Sequence, residues 1–280
     1  MPDGRLVVCA TPIGNLGDVT LRVLETLRAA DMVEAEDTRV TRKLFGRYEI
    51  RTPLESYHAK NLERRTPEVV ARVASGQVVA LVSDAGTPGV SDPGAHLVDA
   101  CLAAGLTVEV LPGASAILAA LVASGLPTHA FYFGGFLPRK AGERRRALES
   151  LSALDATLVF CESPRRTAAT LATLAEVFPG RAAVVARELT KLYEEVARGE
   201  VGELSAAFAE RELKGEVVLL VGPPARGTSQ ATADPDDVRA KVEAAVAGGA
   251  SRKDAVREVA ALTGLPRNEV YRIALEGPGA

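Results

Sequence analysis

Short apolar runs alternate with segments of helical spacing along most of the chain. RLVVCA (Arg5–Ala10) stops at the turn-rich TPIGNLGD, which predicts a buried strand followed by a turn. LRVLETLRAA then repeats apolar residues every three or four positions, with Thr20 or Asp18 placed to cap a helix. DMVEAED predicts a second strand. TPEVVARVASG predicts a helix capped by Thr66, with Pro67 in its first turn, Glu68 near the positive end of the dipole and Gly76 beyond its end. QVVALVSD predicts another strand. A helix over Ala95–Ala104, a strand at LTVEVL and a helix opened by PGAS follow. From Phe131 the alternation resumes, with strands at FYFGG, TLVFCES, AAVVARE and EVVLLVG and helices over Glu143–Leu154, Arg165–Val177 and Val201–Glu210. Strands alternating with helices of roughly ten to fifteen residues predict α/β layers on largely parallel sheet.

GPPARGTSQATADPDD has the composition of a flexible linker, and beyond it lie three short helical patterns and no strand. No internal repeat of fixed period is present. The predicted organisation is an N-terminal α/β domain over 1–112, a second over 113–224, a linker over 225–236 and a helical module over 237–280. Aromatic residues make up 4% of the 280 positions and Trp is lacking, so the core has to be built from Ala, Val and Leu. The net charge of −3 gives no global nucleic-acid footprint, and any such contact has to come from local patches. No segment has the roughly 18 uninterrupted apolar residues that span a bilayer, and MPDGRLVVCATP lacks a signal-peptide core, so a cytoplasmic protein is expected. Cys9, Cys101 and Cys161 sit in apolar runs without metal-ligand spacing. They read as small buried hydrophobes in a reduced compartment, and no metal is expected.

The densest signal is LVSDAGTPGVSDPG, Leu81–Gly94. Three glycines and two prolines cannot continue a strand or a helix interior. They place bare backbone beyond the carboxyl end of a strand, where α/β proteins bind ligands. Asp84 stands at the strand end among Ser83, Thr87 and Ser91, and the stretch carries no Lys or Arg, which suits a cationic ligand better than a polyphosphate. The GxxG of TPIGNLGD (Gly14, Gly17) is weak: neither a dinucleotide fingerprint nor a P-loop, and a strand precedes it where a KH module has a helix. PGAS points backbone N–H groups outward, although Ser115 as a helix cap needs no ligand. CESPRR and ARELTKLYEE also begin at strand ends, which favours one shared cleft. Basic residues cluster at Thr38–Arg51, Pro138–Arg146 and in the tail, where SRKDAVREVAALTGLPRNEVYRIAL has helix-turn-helix spacing.

ATPIGNLGD, EAEDTRVTRKL, SDAGTPGVSDPG, PGASA, ESPRR, the RELTK…YEE stretch and the tail's SRKDAV together closely resemble the bacterial small-subunit ribosomal RNA methyltransferase I family of the tetrapyrrole methylase superfamily. The resemblance runs from about Arg5 to Tyr271. It implies two α/β domains of the tetrapyrrole methylase type with the donor site between them, plus the helical module. It implies S-adenosylmethionine as methyl donor, the ribose 2′-hydroxyl of a decoding-region cytidine in 16S ribosomal RNA as acceptor, and a homodimer. Carried onto this sequence, Pro12, Asp84, Thr87, Ser115, Ala116, Cys161 and Val217 are the expected donor-site positions. Arg42, Lys43, Arg139, Lys140, Arg252, Lys253 and Arg267 are the expected RNA-binding cations. A ribose hydroxyl benefits from a base that takes its proton, and Glu36, Asp37, Glu162 and Glu188 are candidates. Glu36 and Asp37, with Arg39, are favoured. The alternative within enzymes is a methylase of a small tetrapyrrole-like metabolite, for which the basic tail would have no use.

Overall fold

A computed structural model describes residues 4–224, 235–263, 265 and 267–275. Contacts divide the chain into two units, Met1–Pro223 and Pro224–Ala280.

The first unit opens with a five-stranded sheet: β1 (Arg5–Cys9), β2 (Met32–Ala35), β3 (Leu54–Ser56), β4 (Val78–Val82) and β5 (Thr107–Leu111). Its order is β3-β2-β4-β1-β5 and every pairing is parallel, as expected. Alternate residues of β1 feed different cores. Val7 and Cys9 pack with α1 (Leu21–Ala29) and α2 (Thr38–Tyr48), whereas Leu6 and Val8 pack with α3 (Leu62–Ala74) and α4 (Gly94–Ala103). Helices therefore cover both faces, and all strand C-termini share one edge. Thr20 caps α1 through the Val23 N–H at 3.2 Å; Asp18 lies in a short 3₁₀ turn before it.

Two first-sheet elements depart from expectation. α2 reads in the sequence as a basic cluster, yet Thr41, Leu44 and Phe45 are buried while Arg39, Arg42, Lys43 and Arg47 stay exposed. Charge masked an amphipathic helix. α3 starts at Leu62, so Thr66 lies inside it rather than capping it. The Thr66 hydroxyl donates to the Leu62 carbonyl at 2.7 Å and pairs with the Tyr57 hydroxyl at 2.7 Å. The extra turn places Arg65 among three carboxylates, an ion-pair cluster that no local signal announces.

The second sheet is mixed, contrary to the expectation of largely parallel strands. α5 (Ala116–Ser124) leads into it. Its strands are β6 (Phe131–Phe136), β7 (Thr157–Glu162), β8 (Ala182–Arg187), β9 (Glu195–Glu200) and β10 (Val217–Val221), in the order β6-β7-β10-β8-β9. β6 and β7 are parallel; β10 runs antiparallel to β7 and β8, and β9 antiparallel to β8. The unforeseen strand β9 reverses the chain after a short loop, so no crossover helix is needed there. α6 (Ala141–Glu149), α7 (Thr167–Val177) and α8 (Val201–Phe208) cover one face. The other face packs on Ala120 and Leu121 of α5 and on Ile13, from the loop after β1. Ile13 thus joins the first sheet's loop to the second sheet's core.

In the second unit α9 (Pro235–Ala247), α10 (Arg252–Thr263) and α11 (Arg267–Leu275) share a small core of Val238, Val242, Val256, Val259, Val270 and Ile273. α9 begins two residues before the expected module boundary; positions 225–234 of the expected linker lie outside the described residues. Among the described residues no helix is long and apolar enough to cross a membrane.

Candidate active site

The loops after β1 and β4 are tied together at the strand C-termini. Thr11 N–H donates to the Gly86 carbonyl at 2.8 Å and Gly86 N–H to the Thr11 carbonyl at 3.0 Å. Gly86 has φ +78°, a left-handed conformation that glycine adopts without strain. Part of the glycine-rich stretch serves itself: the Asp92 carboxylate accepts the Gly89 and Gly94 N–H groups at 2.8 and 2.7 Å and so closes the loop onto α4.

Beside this tie lies a cavity of about 400 Å³ lined by Thr11, Pro12, Ile13, Ser83, Asp84 and Ala85, by Val40, Thr41, Lys43 and Leu44 of α2, and by Lys191 and Glu216 from the second sheet. Of the expected donor positions, Pro12 and Asp84 line it. Ser115 lies in an adjoining cavity with Ile13, Gly113, Ala114 and Thr190, where its hydroxyl caps α5 through the Leu118 N–H at 3.4 Å. Ala116 opens α5 against the second-sheet core. Thr87 is half-buried in the loop after β4, among the residues of neither cavity. Cys161 is half-buried at the end of β7, paired in register with Val218; burial, then the charges of Glu216 and Glu162, pushes its thiol up to about 11. It lines neither cavity, and a thiol held neutral is not a nucleophile. Val217 points its side chain into the core beneath α7 and α8, so only its backbone faces the cleft side. The neighbouring Glu216, which sequence reasoning passed over, supplies the cleft side chain there. Strand alternation was the available signal: once Val217 faces the helices, Glu216 must face away from them.

The electrostatics are acidic. Asp84 accepts the Asp37 N–H at 3.0 Å, and Glu36 accepts the Asp84 N–H, so two carboxyls lock the ends of β2 and β4. Burial, then the charges of Asp84 and Asp92, raises Glu36; loss of solvent, with Asp37 and Glu216 nearby, raises Asp84. Asp37 differs. It caps α2 through the Arg39 N–H and chelates the Arg39 guanidinium, whose hydrogen bonds hold it down at about 2. Glu162 is fully buried, accepting from Thr170 at 2.7 Å and facing Arg166 at 3.2 Å. Glu188 pairs with Lys191 at 2.8 Å, and Lys191 also meets Glu216 at 3.3 Å. Of the two lysines that line the cavity, Lys43 and Lys191, it is Lys191 that is thereby paired off. Of the expected RNA-binding residues, Lys43 lines the cavity. Arg42, Arg139, Lys140, Arg252, Lys253 and Arg267 are exposed on α2, on the turn into α6, on α10 and on α11.

A cavity of this size accommodates a nucleoside-sized ligand. Its unneutralised carboxylate at Asp84 and its bare backbone fit a group with positive charge and hydroxyls. Gly113 is part of the shape: a Cβ there would stand 2.7 Å from the Ala10 Cβ.

Residues 5–205 match the Tetrapyrrole (Corrin/Porphyrin) Methylases family and residues 232–277 the RsmI C-terminal HTH domain. A Mesorhizobium japonicum protein named ribosomal RNA small subunit methyltransferase I is 48% identical over 97% of this chain and 91% of its own length. A Thermotoga maritima protein of the same name is 43% identical over 218 residues, 78% of this chain and 98% of its own. Among solved structures, the methyltransferase CobJ superposes with a TM-score of 0.60 at 25% identity, covering 79% of this chain and 95% of that one. A uroporphyrin-III C-methyltransferase from Thermus thermophilus, complexed with S-adenosylhomocysteine, superposes at 0.55 and 21% identity over 80% and 99%.

Proposed function

The chain belongs to the tetrapyrrole methylases and, within them, to the ribosomal RNA small subunit methyltransferase I family, and from that premise we propose that it methylates the ribose 2′-hydroxyl of a decoding-region cytidine in 16S ribosomal RNA. It is an S-adenosylmethionine-dependent methyltransferase. The observation that carries the site assignment is the cavity at the strand ends, where Asp84 stands among bare backbone, Glu216 is paired with Lys191 and Lys43 is the second lining cation. When bound, the donor would supply an electrophilic methyl carbon on a sulfonium, with the neutral thioether S-adenosylhomocysteine as the leaving group.

The chain's own residues then divide the work. Pro12, Asp84, Thr87, Ser115, Ala116 and Cys161, with the backbone at Val217, hold the donor in the cleft between the 1–112 and 113–224 lobes. Asp84 and Glu216 place negative charge where a positive group resides. Glu36, half-buried at the end of β2 next to the α2 cap, accepts the hydroxyl proton in this reading, and burial with the charges of Asp84 and Asp92 raises its pKa. Asp37 is too weak a base at about 2. With Arg39 it braces the start of α2, so that Lys43 faces the cavity. Arg42, Arg139, Lys140, Arg252, Lys253 and Arg267 meet phosphates, and the helical module adds hold on RNA beyond the two-sheet unit. The Thermotoga relative, covered almost wholly by 218 aligned residues, supports reading that module as an addition to the reacting core. A second copy of the chain in the cytoplasm completes the reading. Leu118 and Val122 of α5 and Phe131 and Tyr132 of the edge strand β6 are exposed apolar groups suited to a dimer interface.

The test is transfer of labelled methyl onto undermethylated small ribosomal subunits and onto a tetrapyrrole, by the full chain and by a version ending at Gln230. Labelling of subunits alone, weakened by the truncation, is expected. Labelling of the tetrapyrrole alone would replace this reading with the small-molecule one.

A further inference from the structure

We infer that Tyr193, at the tip of the loop joining β8 to β9, is the face on which a base of the acceptor RNA stacks while its ribose lies in the cleft. The inference rests on the RNA substrate proposed above and concerns how that substrate is positioned.

Tyr193 is 70% exposed, more than any other Tyr or Phe among the described residues, and its neighbour Leu192 is 88% exposed. Such a pair contributes little to folding, and an unstacked nucleobase is the partner that a solvent-facing ring serves best.

The loop is held firmly. Lys191 N–H donates to the Glu188 carbonyl at 3.0 Å and Glu194 N–H to the Lys191 carbonyl at 3.2 Å. Thr190 N–H donates to the Glu194 carboxylate at 2.6 Å, and the Thr190 hydroxyl accepts the Asn15 N–H at 3.1 Å, tying the tip to the loop after β1. Glu188 and Thr190 hold φ of 50° and 67°, left-handed values that ordinary side chains keep only when surrounding bonds fix them. A loop backbone fixed in advance leaves only the side-chain rotamer to be ordered on stacking.

Its place fits. Lys191 lines the cavity, and Tyr193, two residues further along the chain, has its Cα within about 8 Å of the Lys191 Cα. Another wall of the same cavity is α2, whose Lys43 faces in and whose Arg39, Arg42 and Arg47 face solvent. A ring two residues from a lining lysine and cations on α2 give a single strand separate sites for base and phosphate.

The test measures kcat and KM for undermethylated subunits with the full chain and with Tyr193→Ala and Tyr193→Phe. S-adenosylhomocysteine affinity is read by calorimetry and mass by light scattering. Tyr193→Ala is expected to raise KM about 5- to 150-fold, the range for one stacked base, with kcat, donor affinity and mass unchanged, while Tyr193→Phe keeps the wild-type KM. An unchanged KM in Tyr193→Ala, equal loss in Tyr193→Phe, or a fall in mass would overturn the assignment, the last by making the tip a subunit contact. No labelling of subunits by the wild-type chain, with donor binding intact, would instead remove the RNA reading itself.

Discussion

Replacing Arg65 by Met takes the guanidinium out of a cluster buried between α3 and the first sheet. Arg65 is 7% exposed and contacts the fully buried Glu34, together with Glu55 at 2.5 Å and Glu68 at 2.6 Å. Burial pushes Glu34 up to about 7 from 4.5, against the opposing pull of Arg65. In the wild type this raised value gives stability that is complete below pH 4.5 and lost as pH rises through 7, where the folded chain must release its extra proton. Without Arg65 the folded state keeps Glu34 neutral to still higher pH. Below pH 7 both proteins therefore fold with a protonated Glu34, and the stability gap between them does not change with pH. Above it the gap widens by about 1.4 kcal/mol per pH unit, the free energy of one retained proton. The hydrogen bonds left unmade add about 1–3 kcal/mol at every pH. The sum near pH 8 is about 2–4 kcal/mol, which overlaps the cost of breaking a buried ion pair. Urea unfolding at pH 6, 7 and 8 measures it. A gap that stays flat from pH 6 to 8, or a variant as stable as the wild type, would refute the reasoning.

Two further outcomes follow from the cleft. Glu36→Gln is expected to lower kcat about 100-fold or more, with S-adenosylhomocysteine affinity intact and the rising limb of the pH–rate profile flattened; a wild-type kcat would take the base role from Glu36. Cys161, held at about 11, is expected to resist iodoacetamide at pH 8 in the native chain, and Cys161→Ser to retain activity. Rapid native alkylation of Cys161 would contradict its being a half-buried, neutral thiol.

The parts of the fold legible in the sequence are those whose stability is local. β1, β4 and β10 are apolar runs bounded by turn residues, and Thr20 announces α1 by its cap. α2 escaped because its buried stripe is narrow and its exposed face carries four cations. The start of α3 escaped because Arg65 draws the extra turn inward through Glu34, a partner 31 residues away. β9 escaped because EVARGE pairs only with β8 and is polar on one side. In the cavity, Asp84 was expected from the glycine-rich stretch after β4 and Pro12 from the resemblance, and both are lining residues. Glu216 was not, because its meaning depends on which face β10 turns to the cleft. The pairing of Asp37 was hidden for a similar reason: EDTR gives its composition, but only the helix that begins there makes it a cap paired with Arg39.

The central claim is that the acidic cleft delivers a methyl group to a ribose oxygen of ribosomal RNA. The direct measurement is alkaline hydrolysis of small-subunit RNA labelled by the wild-type chain, since a 2′-O-methyl group blocks cleavage at its own nucleotide. Label recovered in a single alkali-stable dinucleotide that begins with cytidine is the predicted result. Label recovered in mononucleotides would place the methyl on a base and contradict the account.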